Sequence, residues 1–256
     1  TATFSAPFGL CIDKYNNLYI ADGDNNCIRK INTVTGIVST YAGTGIAGWK
    51  DGPADSAKFN SPSDLCVDDS GNVYVSDFLN QRIRKISFNG LVSTIAGSGI
   101  AGYADGISSI ARFNYPRGIC RDANGNLYIG DSWNHRIRKI DTSGAVSTYA
   151  GGGTAIGVSS VGALIDASDT SARFYTPAGL AIDQYGNIYV ADAYNHRIRM
   201  IDTSQIVTTF AGSGLTGNGN GGFMNGSIAA ARFNTPTELF VDTSSNDLYI
   251  SDTFNN

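Results

Sequence analysis

Short runs rich in Val, Ile, Tyr and Thr alternate with turn residues along the whole chain. The pattern is clearest between positions 174 and 212, which contain four such runs, at 179–183, 188–191, 197–201 and 206–211. Gly, Asn, Asp or Ser bound each run, as is typical of strands joined by tight turns. No segment keeps a long apolar period of 3.6 residues, which would predict an amphipathic helix. The pattern therefore predicts an all-β fold of short antiparallel strands.

The same unit occurs five times along the sequence. Each copy opens with a phenylalanine and has a proline three residues later, at Phe4, Phe59, Phe113, Phe174 and Phe233 and at Pro7, Pro62, Pro116, Pro177 and Pro236. A fixed period of this length predicts supersecondary units that bury their faces against one another. Four short antiparallel strands in each unit predict a β-propeller. We expect one domain over 1–256, with complete four-stranded blades at 4–57, 58–111, 112–172 and 173–231 and half a fifth at 232–256.

Two motifs inside the copies carry a family resemblance. The third copy contains Asn126-Leu-Tyr-Ile-Gly-Asp131 followed by Asn134-His-Arg-Ile-Arg-Lys-Ile140, and the second contains Asn72-Val-Tyr-Val-Ser-Asp77 followed by Asn80-Gln-Arg-Ile-Arg-Lys-Ile86. Together with the Pro-x-Gly-Leu-x-x-Asp of the opening strand, these motifs resemble the NHL repeat. NHL repeats are propeller blades, so the resemblance implies an NHL-type β-propeller over the whole chain. The first copy departs from the pattern at Cys27, which replaces the first arginine of the third strand.

The fifth copy contains only the two inner strands of a blade, because the sequence stops at Asn255 and Asn256, where a third strand should begin. The second of these strands, at 248–251, is expected to have an open edge to which another strand can add. We favour further sequence that completes a ring, most simply a six-bladed one. The alternative is that another chain adds strands at this edge, and identical chains that do so head to tail would build filaments.

Aspartates recur at the ends of the first and second strands of each copy. The first set is Asp13, Asp68, Asp122, Asp183 and Asp242, and the second is Asp22, Asp77, Asp131, Asp192 and Asp252. Paired carboxylates can perform acid–base catalysis, but residues found in every copy are expected to cap turns or to bond a neighbouring arginine. The third strands contain 10 of the 18 Lys and Arg residues, and we expect these side chains to pair with the aspartates.

The histidines are expected to be structural. His135 and His196 occupy the same position in two copies, where Asn26 and Gln81 stand in two others. Two histidines on separate blades cannot form a three-histidine zinc site, which counts against the metal-dependent amidating lyases that the family resemblance brings to mind. Neither a Gly-x-Ser-x-Gly motif nor a Cys–His nucleophile arrangement is present. We therefore predict no catalytic residue, no metal and no cofactor.

Positions that differ between copies are the candidates for a binding site. The two residues after each repeat proline include one aromatic ring and three charges that are specific to single blades, namely Phe8, Asp64, Arg117 and Glu238. These residues stand where inner strands begin. We therefore predict that they surround one mouth of the central channel and bind a ligand there.

The connectors between blades share the pattern Gly-aromatic-x-Asp/Asn-Gly, at 48–52, 102–106 and 222–226. Each continues into a short Ala/Ser stretch that is expected to form one helical turn. The rings are expected to fill the junctions between blades, at Trp49, Tyr103 and Phe223. The sequon that begins at Asn225 lies in the last of these connectors and is a glycosylation candidate in a secreted protein.

Composition narrows the choice of partner. A net charge of −4 and a pI near 5.0 make the protein acidic, whereas a protein that binds phosphate backbones is expected to be basic. No hydrophobic run approaches the ~18 residues that a membrane span needs. Only 16% of residues are charged, and a surface rich in Gly, Ser, Thr and Asn favours an extracellular or cell-surface protein.

We therefore expect a non-enzymatic scaffold, extracellular or at the cell surface, that binds other proteins, glycans or copies of itself. A repeating subunit of an extracellular filament is one form of that function. The first alternative is a propeller enzyme of the lactonase, lyase or strictosidine-synthase-like type, with its site at the channel mouth. The second alternative, which the family resemblance implies, is a propeller that binds single-stranded RNA through a basic face with aromatic rings.

Overall fold

A computed structural model describes residues 2–152, 162–217 and 219–255. The chain forms two compact units, one that ends at Arg121 and one that begins at Asp122. The strands of the first unit are β1 Pro7–Ile12, β2 Asn17–Asp22, β3 Cys27–Asn32, β4 Ile37–Ala42, β5 Gly52–Pro53, β6 Pro62–Val67, β7 Val73–Asp77, β8 Arg82–Ile86, β9 Leu91–Ala96, β10 Gly106–Ile107 and β11 Pro116–Arg121. A 3-10 turn, Phe78–Asn80, joins β7 to β8.

The second unit repeats these elements. Its strands are β12 Leu127–Asp131, β13 Arg136–Ile140, β14 Ala145–Ala150, β15 Ala167–Ser168, β16 Pro177–Ile182, β17 Ile188–Asp192, β18 Arg197–Ile201, β19 Ile206–Ala211, β20 Pro236–Asp242 and β21 Asp247–Asp252. The 3-10 turns of this unit are Ser132–Asn134, Asp169–Ser171 and Ala193–Asn195.

Each copy forms an antiparallel sheet whose strands follow the order of the chain. The first copy is β1-β2-β3-β4, and the fifth copy is the pair β20-β21. In the fourth copy β16, β17, β18 and β19 lie side by side, and the last two of these strands have the bounds that the sequence predicted. These repeated sheets confirm the predicted all-β propeller fold, whereas the single domain and the six-bladed ring stay predictions.

The connectors contribute a strand that the sequence did not predict. In the second copy β5 pairs with the outer strand β9, through Gly52 opposite Val92. In the fourth copy β15 pairs with β19 in the same way, through Ala167 opposite Val207. In these two copies the connector therefore adds a fifth strand to the sheet that follows it. The one-turn helices expected after residues 52, 106 and 226 are hydrogen-bonded turns instead, whereas a 3-10 turn follows β15 in a connector that lacks the predicted pattern.

The opening phenylalanines form the core of the inner blades. Phe59, Phe113 and Phe174 are completely buried, whereas 38% of the surface of Phe4 is exposed. In the first unit Phe59 belongs to a cluster of buried residues that also includes Ala42, Ala57, Leu65, Val73, Val75, Ile86 and Val92. The alanines let the connector pass close to the ring, and burial of this aromatic surface from water is the main stabilising contribution at the junction.

The predicted filling of the junctions by the connector aromatics is wrong for Trp49 and Phe223. Trp49 and Phe223 are 51% and 70% exposed. The Trp49 indole lies over the Arg82 guanidinium, with 4.0 Å between the Arg82 Cζ atom and the ring centroid, and its Nε1–H donates to Thr94 Oγ1 at 2.9 Å. These polar contacts hold the Trp49 ring at the surface. The junction is closed without it by the buried Ala57 beside Phe59.

Candidate functional site

The first set of recurrent aspartates caps the turns between first and second strands, as predicted. Asp183 Oδ1 accepts hydrogen bonds from the backbone N–H groups of Tyr185 and Asn187, both at 2.9 Å. Asp183 Oδ2 accepts one from Asn187 Nδ2 at 2.8 Å and one from the Tyr189 hydroxyl at 3.4 Å. Both carboxylate oxygens are therefore committed to the turn, and the same arrangement recurs at Asp13, Asp68 and Asp122.

Four aspartates of the second set pair with third-strand arginines, as predicted, namely Asp22, Asp77, Asp131 and Asp192. Arg199 Nη1 lies 2.8 Å from Asp192 Oδ2, and its Nη2 lies 2.6 Å from Asp166 Oδ1. The Arg199 and Asp192 side chains have no exposed surface. Burial raises the pKa of Asp192 to about 6, and the Arg199 charge opposes that rise. Asp77 with Arg84 and Asp131 with Arg138 form equivalent buried pairs.

These pairs remove the third-strand arginines from the surface. Arg84, Arg138 and Arg199 are the largest fully buried side chains among the described residues. A phosphate backbone has no access to a guanidinium that is already enclosed. The positive charge that the sequence concentrates in third strands is therefore structural at these three positions.

The two histidines connect successive copies. His196 Nδ1 accepts a hydrogen bond from the backbone N–H of Thr235 at 3.0 Å, and His196 Nε2 lies 2.9 Å from the carbonyl oxygen of Gly217. A carbonyl oxygen can only accept, so the proton of the ring is on Nε2. His135 Nδ1 accepts from Thr176 N–H in the same way.

Asn26 and Gln81 make the same contact in the first unit. Their side-chain oxygens accept from the backbone N–H groups of Ser61 at 3.0 Å and of Tyr115 at 2.6 Å. The residues that donate have positive φ angles, between 51° and 57°, a conformation that costs energy in non-glycine residues. The side chain at this repeat position therefore holds a strained residue of the next copy in place, which confirms the structural role expected for the histidines.

Replacing His196 with alanine should reduce the free energy of unfolding by about 1–3 kcal/mol, because the buried Thr235 N–H and Gly217 C=O both lose a partner. His196→Asn is the matched control, since asparagine performs this role at position 26. We expect urea denaturation to show that His196→Asn loses much less stability than His196→Ala. Equal losses in the two variants would show that the hydrogen bond to Thr235 is unimportant.

Asp64 lies between inner strands and is buried. Its Oδ2 accepts from the Ile119 N–H and its Oδ1 from the Leu65 N–H, both at 2.8 Å. A side chain at Gly9 would collide with Oδ1, so the close approach of β1 and β6 requires glycine there. Asp64 is thus a bridge between strands, and its role as a ligand-binding residue stays a prediction.

Asp64 should make the stability of the first unit dependent on pH. Burial raises the pKa of this carboxyl group to about 7, although the two backbone hydrogen bonds lower it. The unfolded value is about 3.9, so the folded state holds the extra proton and stability falls as the pH rises from about 4 to about 7. We expect the unfolding free energy of the native chain, minus that of Asp64→Asn, to decrease over this window. A difference independent of pH would contradict the raised pKa, and Asp69→Asn serves as an exposed control.

The other three predicted site residues are more accessible. Phe8 is 52% exposed and lies against Gly23 in the turn after β2. The Arg117 guanidinium lies over the Phe78 ring, 5.3 Å from its centroid. Glu238 is half-buried next to Gly179 on the neighbouring inner strand. Binding by these residues stays a prediction, although Arg117 does belong to an aromatic cluster.

Aromatic rings from the loops between second and third strands, and from the segments that lead into first strands, form two clusters that the sequence did not predict. In the first unit, the rings of Phe78 and Tyr115 have centroids 4.9 Å apart, and Arg117 covers Phe78. In the second unit, Tyr175 makes edge-to-face contacts with His135 at 5.4 Å and with Tyr194 at 5.1 Å. We call these sets the first and second aromatic clusters.

Trp133 stands in the same kind of loop as Tyr194 and is 56% exposed. The signal in the sequence is the motif Asp-x-x-Asn, whose two middle residues differ from copy to copy. They are Gly23-Asp24, Phe78-Leu79, Ser132-Trp133, Ala193-Tyr194 and Thr253-Phe254. A ring that belongs to one copy only is not required by the repeat, and exposed rings of this type are common in binding surfaces.

In the described residues, no group of three or more His, Cys, Asp and Glu side chains is arranged to hold a metal ion. Within the same residues, no helix is both long enough and apolar enough to cross a membrane. The four cysteines are free thiols.

Repeated antiparallel sheets of four chain-consecutive strands, each tied to the next by a side chain at a fixed repeat position, define a β-propeller. The family model for the NHL repeat matches residues 59–86 and 113–140, and the model for the teneurin NHL domain matches residues 160–254. The chain belongs to the NHL-repeat family of β-propellers.

Relatives of known sequence align along nearly the whole chain. The chloroplastic protein SUPPRESSOR OF QUENCHING 1 of Arabidopsis thaliana is 30% identical over 99% of the chain, which covers 24% of that protein. Human NHL repeat-containing protein 2 is 30% identical over 99% of the chain, which covers 38% of it. The chain thus spans between a quarter and two fifths of the length of these relatives.

Among solved structures, an auxiliary nutrient binding protein from Bacteroides ovatus superimposes with a TM-score of 0.71 and 17% identity. The match covers 100% of this chain and 58% of that protein. At this level of identity the similarity shows the fold alone.

Proposed function

We propose that this chain is a non-enzymatic scaffold that binds another protein through the aromatic clusters of its loops. The proposal rests on the different roles of residues that recur between copies and residues that vary between copies. Repeated aspartates, arginines and histidines are occupied by turns, buried ion pairs and contacts between copies. The position of the exposed Trp133 varies between copies, since Asp24 and Leu79 stand there in the first and second copies.

The second aromatic cluster suits a protein surface. Tyr175 and Tyr194 are held edge to face, and His135 fixes Tyr175 from the other side while it also bonds to Thr176. Rings held in this way lose little conformational entropy when a partner binds. Trp, Tyr and Arg are also the residue types that dominate the binding energy of protein interfaces.

The test is the paired variant Trp133→Ala with Tyr194→Ala, compared with Tyr185→Ala, which removes an exposed ring from the turn before β17. Proximity labelling in the native extract should enrich the same proteins with the native chain and with Tyr185→Ala, and lose them with the paired variant. A purified partner should then bind the native chain and Tyr185→Ala with similar affinity, and the paired variant more weakly. Identical enrichment with all three chains would overturn the proposal. So would a paired variant that keeps its protein partners but loses binding of the native chain to a glycan array.

We propose that this scaffold acts outside the cell or at the cell surface, where a repeating subunit of a filament is one form of the function. Asn225 supports this location, because its sequon lies in an exposed connector. The intact mass of the natively produced chain should exceed that of the bare sequence by a glycan, and Asn225→Gln should abolish the excess. An unmodified native mass would remove this support, and electron microscopy of the native material would show whether filaments form.

A propeller enzyme is the second candidate, and Asp64 is the observation that favours it. A buried carboxyl group whose pKa is raised to about 7 is typical of acid–base sites. Against this role, both oxygens of Asp64 already accept backbone hydrogen bonds. Turnover in a screen for hydrolase and lyase activities that disappears in Asp64→Asn would favour the enzyme over the scaffold.

A further inference from the structure

Arg232, in the connector that leads to β20, has a guanidinium without a hydrogen-bond acceptor among the described residues. Its Nε atom is buried and has no partner. The side chain is half-buried, and its two terminal nitrogens are not enclosed. Arg199 also has an unbonded Nε, but its terminal nitrogens donate to four oxygens. Arg232 therefore has donors that the described part of the chain does not use.

The equivalent residue of the fourth copy, Arg173, is satisfied within its own connector. Its Nη1 lies 2.9 to 3.1 Å from three carbonyl oxygens that accept from it, namely those of Thr170, Ser171 and Ala172. In the fifth copy the Ser213 hydroxyl lies 2.9 and 3.1 Å from the corresponding carbonyl oxygens of Ala230 and Ala231, and donates its proton there. Ser213 thus occupies the acceptors that Arg232 would otherwise use.

A single difference between the copies explains this exchange. The residue that corresponds to Ser213 before the fourth copy is Gly152, since each stands two residues after the end of an outer strand, at Ala150 and Ala211. A Cβ atom on Gly152 would lie 2.5 Å from Arg173 Nη1. Only glycine leaves room there for the guanidinium, so a side chain at this position excludes the arginine from the connector carbonyls.

Two glycines pack against the Arg232 guanidinium instead. A Cβ atom on Gly214 would lie 2.9 Å from Nε, and one on Gly222 would lie 2.9 Å from Cζ. Both positions therefore require glycine while the guanidinium stays where it is. Backbone thus covers the inner part of the planar group, and its terminal nitrogens form the accessible end. We call Arg232, Gly214 and Gly222 the Arg232 site.

A second positive charge lies at the same glycine. Arg197 Nη2 donates to the Gly214 carbonyl oxygen at 2.6 Å. Its Nη1 donates to three further carbonyl oxygens, namely those of Asn195, His196 and Ser213. Burial lowers the pKa of Arg197, and the charges of Arg199 and Arg232 add to that fall, whereas Asp192 opposes it. The Arg197 and Arg232 charges therefore repel each other, and a bound anion would relieve this repulsion.

We propose that the Arg232 site binds a doubly charged tetrahedral oxyanion, either sulfate or a phosphate group. The two terminal nitrogens of Arg232 donate to two oxygens of the anion, a geometry for which the planar guanidinium is suited. Arg197 contributes its charge but no hydrogen bond, because its terminal nitrogens are already bonded. Two nearby positive charges favour a dianion over a carboxylate, which has one charge. Ser213 keeps the site open by occupying the connector carbonyls.

The Arg232 site is separate from the aromatic clusters of the proposed function, and either proposal can fail without the other. The site is also complete within the described residues. Arg173 has all three of its acceptors in its own connector, and the corresponding connector of Arg232 is described at 219–232. The unused donors of Arg232 are therefore a property of this connector and not of the strands that follow it.

An NMR titration with sodium sulfate tests the site through the backbone N–H resonances of Gly214 and Gly222. Sodium chloride is withdrawn in exchange, so that the ionic strength stays constant. We expect saturable shifts, an affinity for sulfate at least about tenfold higher than for acetate, and a loss of at least about tenfold in Arg232→Gln. The absence of saturable shifts, or equal affinities for sulfate and acetate, would overturn the proposal.

Arg173→Gln is the matched control, because it removes the same charge from a guanidinium that is already bonded. We expect it to change the sulfate affinity by less than about twofold. Equal weakening by Arg173→Gln and Arg232→Gln would mean that sulfate responds to net charge, and the Arg232 site would then be rejected.

Ser213→Gly tests why the site is open. We expect sulfate to bind at least about fivefold more weakly, because Arg232 can then donate to the connector carbonyls as Arg173 does. Ser98→Gly makes the same change after the outer strand of the second copy and should leave the affinity within about twofold. Equal binding by Ser213→Gly and the native chain would contradict the role of Ser213.

Methyl phosphate distinguishes the sources of a phosphate group, at a pH where it and inorganic phosphate are both dianions. Methyl phosphate that binds as tightly as inorganic phosphate supports a phosphate group carried by a larger molecule. Binding at least about tenfold weaker than that of inorganic phosphate supports the free ion as the ligand. Failure of sulfate and of both phosphates to bind would overturn the proposal.

Discussion

Replacing Arg199 with methionine is expected to reduce the free energy of unfolding by about 3–5 kcal/mol, because it leaves Asp192 buried without its positive partner. Asp192 has no exposed surface, and the Arg173 and Ile165 carbonyl oxygens each lose one of their two donors with the guanidinium. Methionine has nearly the same length, so the loss reports on charge and hydrogen bonds more than on volume. Urea denaturation followed by circular dichroism measures the effect.

Arg29→Met is the matched control for this change, since Arg29 occupies the same repeat position in the first copy. Its side chain is 13% exposed and pairs with Asp22 at 3.0 Å. Asp22 is fully buried, but Arg29 is in contact with water and lacks the second aspartate partner that Arg199 has in Asp166, so we expect a smaller loss than at Arg199. Equal losses at the two positions, or a loss at Arg199 below about 1 kcal/mol, would show that burial does not determine the energetics of these pairs.

Phe113→Ala should cost about 3–5 kcal/mol of unfolding free energy, since it removes a fully buried ring from the first unit. The neighbouring backbone cannot collapse into the space, because the connector is fixed there by hydrogen bonds from Gly97 N–H to Ser108 and from Ser98 N–H to Ala111. Thermal or urea denaturation of the purified variant measures the loss.

Phe4→Ala is the control for this second change. Phe4 opens the first copy as Phe113 opens the third, but 38% of its surface is exposed and it lies 5.3 Å from the Arg29 guanidinium. We expect it to cost distinctly less than Phe113→Ala. An unchanged melting curve for Phe113→Ala would show that the opening rings are not the core of the blades.

The sequence predicted the long elements well because their signal is both local and repeated. The β18 and β19 strands were located to the residue, since Arg-Ile-Arg-Met-Ile and Ile-Val-Thr-Thr-Phe-Ala are β-rich runs bounded by turn residues. Strands of two residues, such as β5, have no pattern of their own. They form only because the outer strand of the same sheet offers an unpaired edge to the connector.

The candidate site was harder to predict because charge in a sequence does not reveal where a side chain points. Asp64 looked like a rim residue, yet two backbone N–H groups and a glycine on the neighbouring strand take up its carboxylate. The third-strand arginines were expected to pair with the recurrent aspartates, and three of them do so while fully enclosed. Asp64 was missed because the Ile119 N–H that it binds lies 55 residues away, in another copy.

Because a connector pairs with the sheet that follows it, one complete structural repeat of this protein begins just after an outer strand. Gly43 and Gly97 both have φ near +105° and donate to equivalent connector carbonyls, those of Ala54 and Ser108. Excision of residues 43–96 would join Ala42 to Gly97 through the same local geometry and remove one whole sheet. Unequal recombination at such points would therefore change the number of blades in whole steps, and this gives evolution a route to propellers of different size without a new junction.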